Sequence, residues 1–192
     1  EWFGRMAQAI LPGGDVEGIV VTEAVTELQS PQGAVELPVT NSIDFVAMEA
    51  TSTITTPAGE MTIELTETSG VQRFGAQSMP MQAEQVKQMW QELYGTPTWM
   101  ALKADEYRAS YLGETDEGLI RLNVTAEFLD ASVEVHLDPQ TALPLKTAIR
   151  AFNAQMGANV TTVSMYNDWK EADGLMQAYS RETRVDGNPQ SS

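Results

Sequence analysis

Cysteine is absent from this chain of 192 residues, and histidine occurs only once, at His136. Without cysteine there is neither a disulfide framework nor a thiolate metal site. A single histidine excludes zinc sites built from several imidazoles, including the His-x-x-Glu-His arrangement of zinc peptidases. The Gly-x-Ser-x-Gly motif and glycine-rich phosphate loops are missing as well. The sequence therefore predicts a non-enzymatic segment with no catalytic residue, no metal ligand and no cofactor.

One polar constellation leaves an enzymatic alternative open. Glu134, His136 and Asp138 occupy alternate positions of a predicted strand, so their side chains share one face. Acid-base or metal chemistry at these three residues is the weaker hypothesis, because a catalytic zinc normally takes three well-placed protein ligands. A solvated strand face is the preferred interpretation.

Basic residues are scarce, and lysine occurs only at Lys87, Lys103, Lys146 and Lys170. Eleven basic residues against 27 acidic ones give a formal net charge of -16. Such a surface repels phosphate backbones and anionic head groups, which excludes nucleic acid as a predicted partner. The dispersed acids and the low lysine content resemble those of proteins from salt-adapted organisms, and an ordinarily acidic secreted protein would show the same charge.

Long apolar runs are absent too, since no stretch approaches the ~20 residues that span a bilayer. The first residue is Glu1 and no apolar leader precedes the folded part, so we expect a segment cut from a longer or processed precursor. Residues 1–12 are predicted to be an N-terminal helix or a linker remnant, because Pro12 and two glycines end an apolar helical face. Residues 13–187 are predicted to form one domain, and 188–192 a frayed tail.

What is present is mostly strand patterning around one helix. Extended regions are predicted from Gly18 to Leu28, from Val35 through Pro38 to Ile54, and from Met61 to Thr68. Ala83 to Tyr94 has apolar residues at helical spacing and is the clearest helix. Six further strands are predicted between 107 and 185. This order predicts an α+β fold, with a helix packed on one face of a large antiparallel sheet.

Several strand ends resemble those of a known group, the periplasmic carriers of outer-membrane lipoproteins. The motifs are Tyr111-Leu112-Gly113, Leu137-Asp138-Pro139 with Thr141-Ala142-Leu143-Pro144, and Tyr166-Asn167-Asp168-Trp169 with Asp173-Gly174. The resemblance implies a strongly curved antiparallel sheet, a half-barrel of about nine to eleven strands, wrapped around one or two central helices. The chain also resembles the C-terminal appendage found on some insulinase-type (pitrilysin) zinc peptidases. Gly13-Gly14, just after a helical lead-in, suits the junction between such an appendage and the domain before it.

The resemblance implies a non-enzymatic module of the bacterial periplasm or cell envelope that binds an apolar ligand or a lipidated protein. The alternative is a non-catalytic accessory domain of an insulinase-type zinc peptidase, whose catalytic motif would lie outside this segment. Ten methionines and several aromatic residues fit an adaptable apolar cavity, although core packing explains them equally well. The candidate cavity residues are Phe45, Phe74, Met79, Met81, Met89, Trp90 and Trp99.

The charge generates the first prediction. Sixteen uncompensated negative charges repel one another, and the screening length falls to ~3 Å near 1 M salt. We predict that the melting temperature rises substantially between low salt and molar potassium chloride, and that sodium chloride acts similarly. A melting temperature that stays flat or falls over this range would show that local ion pairs already balance the surface, and would count against salt adaptation.

Overall fold

The structure, a computed structural model, describes residues 1–14, 18–30, 33–153, 158–185 and 188–191. The elements follow one another along the chain as α1 Trp2–Ile10, β1 Ile19–Ser30, β2 Gly33–Asp44, β3 Glu49–Thr56, β4 Gly59–Leu65, β5 Gly70–Phe74, β6 Gln77–Pro80, α2 Ala83–Tyr94, α3 Pro97–Leu102, a short 3-10 helix Ala104–Glu106, β7 Arg108–Glu114, β8 Ile120–Thr125, β9 Val133–Leu137, β10 Pro144–Asn153, β11 Ala158–Ala172, β12 Leu175–Val185 and β13 Asn188–Ser191.

These elements fall into two compact units. The six-stranded unit consists of the described residues between 17 and 92, and its sheet is the meander β1-β2-β3-β4-β5-β6. The seven-stranded unit consists of the described residues of 1–16 together with 93–190, and its sheet has the order β13-β12-β11-β10-β9-β8-β7. Every pair of neighbouring strands whose register is defined is antiparallel.

One side of the six-stranded sheet carries only apolar and neutral polar side chains among its described residues. Val39, Ile54, Met61 and Phe74 are aligned across four neighbouring strands, and aligned residues of antiparallel strands lie on the same side. We call this side the apolar face. Its apolar residues are Val20, Ala24, Val35, Leu37, Val39, Ile43, Ala50, Ile54, Met61, Ile63, Leu65, Phe74 and Met79. The opposite side carries most of the sheet's threonine and glutamate residues.

The second extended region predicted from the sequence, Val35 to Ile54, is interrupted by a turn. Asp44 ends β2, and its carboxylate Oδ1 accepts hydrogen bonds from the backbone N–H groups of Val46 and Ala47, both at 2.8 Å. Met48 then has a positive φ of 56° before β3 begins. An Asp side chain that bonds the backbone two and three residues on competes with the strand ladder, and it folds this region into a hairpin.

Helix α2 has the predicted bounds and covers one end of the apolar face. Its residues Val86 and Trp90 are buried, and the indole N–H of Trp90 donates to the carbonyl oxygen of Thr66 at 2.9 Å. A Cβ atom placed on Gly70 would lie 2.8 Å from Met81 Sδ and 3.1 Å from Val86 Cγ2. The helix therefore approaches the sheet closely where β5 begins, and a side chain at Gly70 would require Leu65, Met81 and Val86 to shift.

In the seven-stranded unit, α1 and α3 contact each other, and α1 also contacts β12. The core is almost completely closed to solvent, and its most deeply buried side chains are Met6, Ile10, Met100, Val124, Val133, Val135 and Leu137. The Tyr107 hydroxyl donates to the carbonyl oxygen of Tyr94 at 2.8 Å. Phe128 lies against both tyrosine rings, with centroid distances of 4.8 Å to Tyr94 and 5.3 Å to Tyr107.

The predicted α+β class with antiparallel sheet is confirmed. Helix α1 lies within residues 1–12, where the sequence predicted either a helix or a linker remnant. The described strands number thirteen and are hydrogen-bonded in two sheets. The pair β5 and β6 was missed, because Gly75-Ala76 is a short and weak turn signal and β6 is only four residues long. The single domain of 13–187 and the tail of 188–192 stay predictions.

The contact at Gly70 generates the second prediction. Gly70→Ala is expected to lower the free energy of unfolding by about 1–3 kcal/mol, because Leu65, Met81 and Val86 must shift to admit the methyl group. The control is Gly4→Ala in α1, where nothing lies within 4 Å of the added Cβ. That variant is expected to gain about 0.5–1 kcal/mol from helix propensity. Denaturant unfolding of both variants measures these changes in the free energy of unfolding. A Gly70→Ala variant as stable as the wild type would contradict the close packing.

Candidate functional site

The apolar face is buried beneath α2 and also at Leu37 and Val39 of β2, and it is exposed at Phe74 and Met79 of β5 and β6. Leu65 is 4% exposed and Gly70 is buried where α2 lies over the sheet. Met61 and Ile63 are half-buried, whereas Phe74 is 39% exposed and Met79 is 53% exposed. Exposure of the large apolar side chains thus increases from Leu65 of β4 toward Phe74 and Met79 at the β5–β6 edge of the face. Contiguous exposed apolar surface of this kind marks ligand or partner sites more often than isolated apolar residues do.

Three of the predicted cavity residues lie on or against this face. Phe74 and Met79 are part of it, and Met81 lies over Gly70 at its covered end. The backbone N–H of Met81 donates to the carbonyl oxygen of Gly70 at 2.8 Å, which fixes the chain as it leaves β6. Both methionines are flexible and polarizable, so they can adapt to apolar ligands of different shape.

The other predicted residues of this unit are less exposed. Trp90 is 3% exposed, and its indole N–H is bonded to the turn between β4 and β5. Phe45 is 8% exposed in the turn between β2 and β3, and Met89 is half-buried on α2. Trp90 and Phe45 are therefore core residues. Core packing was the alternative explanation of these aromatic residues in the sequence analysis.

Trp99 belongs to the seven-stranded unit and is 2% exposed. It lies on α3, where the hydroxyl of Thr96 accepts a hydrogen bond from its backbone N–H at 3.4 Å. Its ring packs 5.1 Å from the ring of Tyr94, measured between centroids. Its surroundings are those of a core residue of that unit.

Sequence reasoning did not assign Ile54, Met61 or Ile63 to the site, although they form the middle of the apolar face. The signal was present as the alternation of Met61, Ile63 and Leu65 with polar residues, which indicates one covered face. The sequence did not show that β3, β4 and β5 would align these residues with Phe74. That alignment depends on the two hairpin registers.

A separate polar cluster lies on β8 and β9 of the seven-stranded unit. One carboxylate oxygen of Glu134, Oε1, lies 3.0 Å from Arg121 Nε, which donates to it, and 2.7 Å from His136 Nε2. Asp138 does not join this cluster. Its Oδ1 accepts hydrogen bonds from the backbone N–H groups of Gln140 and Thr141 in the turn that precedes β10.

The expectation of a solvated strand face is wrong for His136, which is only 8% exposed. Burial lowers the pKa of His136 below its ordinary value and outweighs the hydrogen bond with Glu134, which raises it, while the nearby Lys146 and Arg121 lower the pKa further. The hydrogen bond from Arg121 lowers the pKa of Glu134. A neutral histidine beside an ion pair is chemically able to exchange a proton, but nothing in this cluster provides a nucleophile or a third ligand.

Two cavities in the seven-stranded unit flank β7. The larger, of about 490 Å³, is lined by Asp105, Glu106, Arg108, Thr125, Ala126, Glu127 and Phe128. The smaller, of about 310 Å³, is lined by Glu1, Trp2, Phe3, Ala109, Tyr111 and Leu122. The larger cavity is therefore rich in carboxylates, and the smaller one is rich in aromatic rings.

Within the described ranges, no group of three or more histidine, cysteine, aspartate or glutamate side chains is arranged to hold a metal ion. None of the helices in the part of the chain that the structure describes has the length and apolar character needed to cross a membrane.

Comparison with known proteins identifies relatives by structure alone. No family model matches the chain, and no curated protein matches it by sequence. The fold is similar to that of a proposed outer membrane lipoprotein-sorting protein domain from Vibrio parahaemolyticus, with a TM-score of 0.60 and 12% identity over 98% of this chain and 87% of that one. It is also similar to a DUF1329 family protein from Desulfovibrio piger, with a TM-score of 0.57 and 12% identity over 98% of this chain and 90% of that one.

At 12% identity these two likenesses define the fold. The chain shares its fold with these two proteins over nearly its whole length, which agrees with the fold that the strand-end motifs implied. These two likenesses do not test the accessory-domain alternative, which stays a prediction.

The buried histidine generates the third prediction. Below about pH 6.5 the unfolded chain binds a proton that folded His136 resists, so the free energy of unfolding falls as the pH is lowered through this value. His136→Gln is expected to flatten this part of the profile. The loss caused by Glu134, whose pKa is also lowered, begins below about pH 4.5 and should remain. Urea unfolding across this range measures both slopes, and an unchanged slope near pH 6 in the variant would contradict the assignment.

Proposed function

We propose that this protein is a non-enzymatic binding module of the bacterial cell envelope that holds an acyl chain, free or attached to a lipidated protein, on the apolar face of its six-stranded sheet. The observation that carries the proposal is the increase in exposure along that face, from Leu65 at 4% to Met79 at 53%. The lipoprotein-sorting type of fold supports the choice of ligand and of compartment.

The composition of the face fits a long, flexible apolar ligand. Apolar residues continue across five neighbouring strands without an intervening charge, from Leu37 through Ile54 and Met61 to Phe74 and Met79. The polar members of the same face are neutral, such as Ser52 and Gln72, and the Gln72 amide is turned toward Met61, whose Sδ it approaches at 3.0 Å. A chain of methylene groups can lie on such a surface without burying an unpaired charge.

Burial of methylene groups supplies the binding energy. Each buried CH₂ contributes about 0.8 kcal/mol, which corresponds to roughly fourfold in affinity. An anionic head group is disfavoured near a chain of net charge -16, so the ligand class that fits best has a neutral or cationic polar end. An acyl chain linked through an ester or amide to a neutral group meets this requirement.

The fourth prediction tests the apolar face with monoacylglycerols of increasing chain length, used below their critical micelle concentrations. Affinity is expected to increase by up to about fourfold per CH₂. Phe74→Gln and Met79→Gln are expected to weaken binding and to reduce this dependence on chain length, because each removes apolar contact at the open end. Isothermal titration calorimetry measures both quantities, and a negative heat-capacity change should accompany binding.

The matched control is Val25→Gln. Val25 is 58% exposed on β1, similar to Met79, but it lies on the opposite side of the same sheet. Its replacement should leave monoacylglycerol affinity unchanged. The proposal fails if the wild-type protein binds no member of the series, or if Val25→Gln weakens binding as much as Met79→Gln does.

A further inference from the structure

We propose that β7 is a docking edge for an extended, basic segment of another polypeptide, which would pair with the strand and place a cationic side chain in the larger flanking cavity and an apolar side chain in the smaller one. The juxtaposition that carries this inference is an exposed edge strand between an acidic cavity and an aromatic cavity. It concerns the seven-stranded unit and does not depend on the apolar face.

The backbone of β7 has strand pairing on one side only. β7 is the last strand of its sheet and pairs with β8, from Arg108 opposite Thr125 to Glu114 opposite Ile120. Within the described residues no strand pairs with its outer edge. An edge strand presents a row of backbone donors and acceptors that an extended peptide can satisfy by adding a strand.

The side chains of β7 are open to solvent, unlike those of its neighbour. Ala109, Ser110, Tyr111 and Leu112 are all exposed, and Tyr111 reaches 56%. Natural edge strands are usually protected by charge, by proline or by a covering segment. Between Arg108 and Glu114 the protection is limited to a register shift after Tyr111, where Gly113 has a positive φ of 108°. The four residues before that shift form a regular, accessible edge.

The aromatic cavity provides a place for an apolar side chain. Ala109 and Tyr111 are alternate residues of β7, aligned with Val124 and Leu122 of β8, so they face the same side as the buried core. Trp2 and Phe3 of α1 complete the wall beneath them. A side chain of an added strand that points to this side would enter a space of about 310 Å³ lined by three aromatic rings.

The larger cavity selects a cation. Asp105, Glu106 and Glu127 line it together with the ring of Phe128, and Arg108 is the only basic residue of the lining. An ammonium or guanidinium group would meet carboxylates at the rim and an aromatic wall behind them. The whole chain carries a net charge of -16, which attracts a basic partner over a longer range.

Charge also decides between a second copy of this chain and a different polypeptide. Two copies paired edge to edge would bring two chains of charge -16 together, with Glu114 and the carboxylates of both larger cavities close to the interface. Like charges at an interface are strongly unfavourable. A basic extended segment meets the same backbone edge with opposite charge, so it is the occupant that the surface fits.

The fifth prediction uses a synthetic peptide of alternating lysine and phenylalanine as the probe. It should bind at moderate ionic strength and slow the hydrogen exchange of the backbone amides of residues 108–112. The same peptide with alternate backbone nitrogens methylated keeps its charge and side chains but cannot pair with a strand edge. Its affinity should fall by about tenfold or more, as expected when several backbone hydrogen bonds are lost.

Charge variants distinguish peptide binding at the larger cavity from general electrostatic attraction to the acidic protein. Asp105→Asn combined with Glu127→Gln removes two charges from the larger cavity, and is expected to weaken peptide binding by about five- to tenfold. Asp116→Asn combined with Glu117→Gln removes the same charge from the β7–β8 turn, outside both cavities, and should change affinity by less than about twofold. Unchanged circular dichroism confirms that both double variants fold.

Three results would overturn the proposal. In the first, the peptide binds without protecting the amides of residues 108–112. In the second, both double variants weaken binding equally, which would mean that net charge alone attracts the peptide. In the third, sedimentation shows that the protein alone is a dimer with these amides already protected, so that a second copy occupies the edge.

Discussion

The antiparallel register from β1 to β6 determines the character of the six-stranded unit. The side-chain period of a strand is two, so a shift of one residue in any hairpin would move its apolar residues to the other side. The observed registers align Val39, Ile54, Met61 and Phe74 on one side, while Glu64 and Arg73 form an ion pair at 2.9 Å on the other. The covering of Leu65 and Gly70 by α2 and the exposure of Phe74 and Met79 both depend on this alignment. Phe74 and Met79 are exposed because α2 covers a different part of the apolar face that the registers make continuous.

The acidic composition affects which ligands and partners the protein attracts or repels. It contributes little to strand pairing, which depends on local contacts. Ion pairs of the described residues are few and mostly exposed, as at Glu64 and Arg73, and such pairs contribute little to stability. The cohesion of both units therefore rests on apolar burial and strand pairing, with hydroxyl contacts between strands such as that of Thr147 with Tyr166 at 3.1 Å. The same charge disfavours anionic ligands and self-association, and attracts basic polypeptides.

Local patterns predicted the elements well where the local signal was strong. Ala83 to Tyr94 has helical spacing and a following glycine, and α2 has these bounds. The alternation of Met61, Ile63 and Leu65 indicated β4 and its covered face. The hairpin at Asp44 was missed because its signal is a single side chain that bonds two backbone N–H groups. The division into two sheets, the burial of His136 and the cavities beside β7 depend on contacts between residues distant in sequence, which composition and periodicity do not contain. For the same reason, the prediction from sequence placed Trp90 and Trp99 in one cavity with Phe74 and Met79, and it did not separate core residues from surface residues.

The location of a bound acyl chain can be measured with the methionine methyl groups as probes. In a protein labelled at the methionine methyl carbons, a monoacylglycerol that carries a nitroxide on its chain broadens only those signals that lie close to the bound chain. The account predicts strong broadening of Met61 and Met79, which lie on the apolar face. It predicts little change at Met6 and Met100, which are fully buried in the seven-stranded unit, or at Met165, which is 38% exposed on β11. Broadening that is strongest at Met6, Met100 or Met165, with Met61 and Met79 unaffected, would contradict the assignment of the six-stranded sheet as the binding surface.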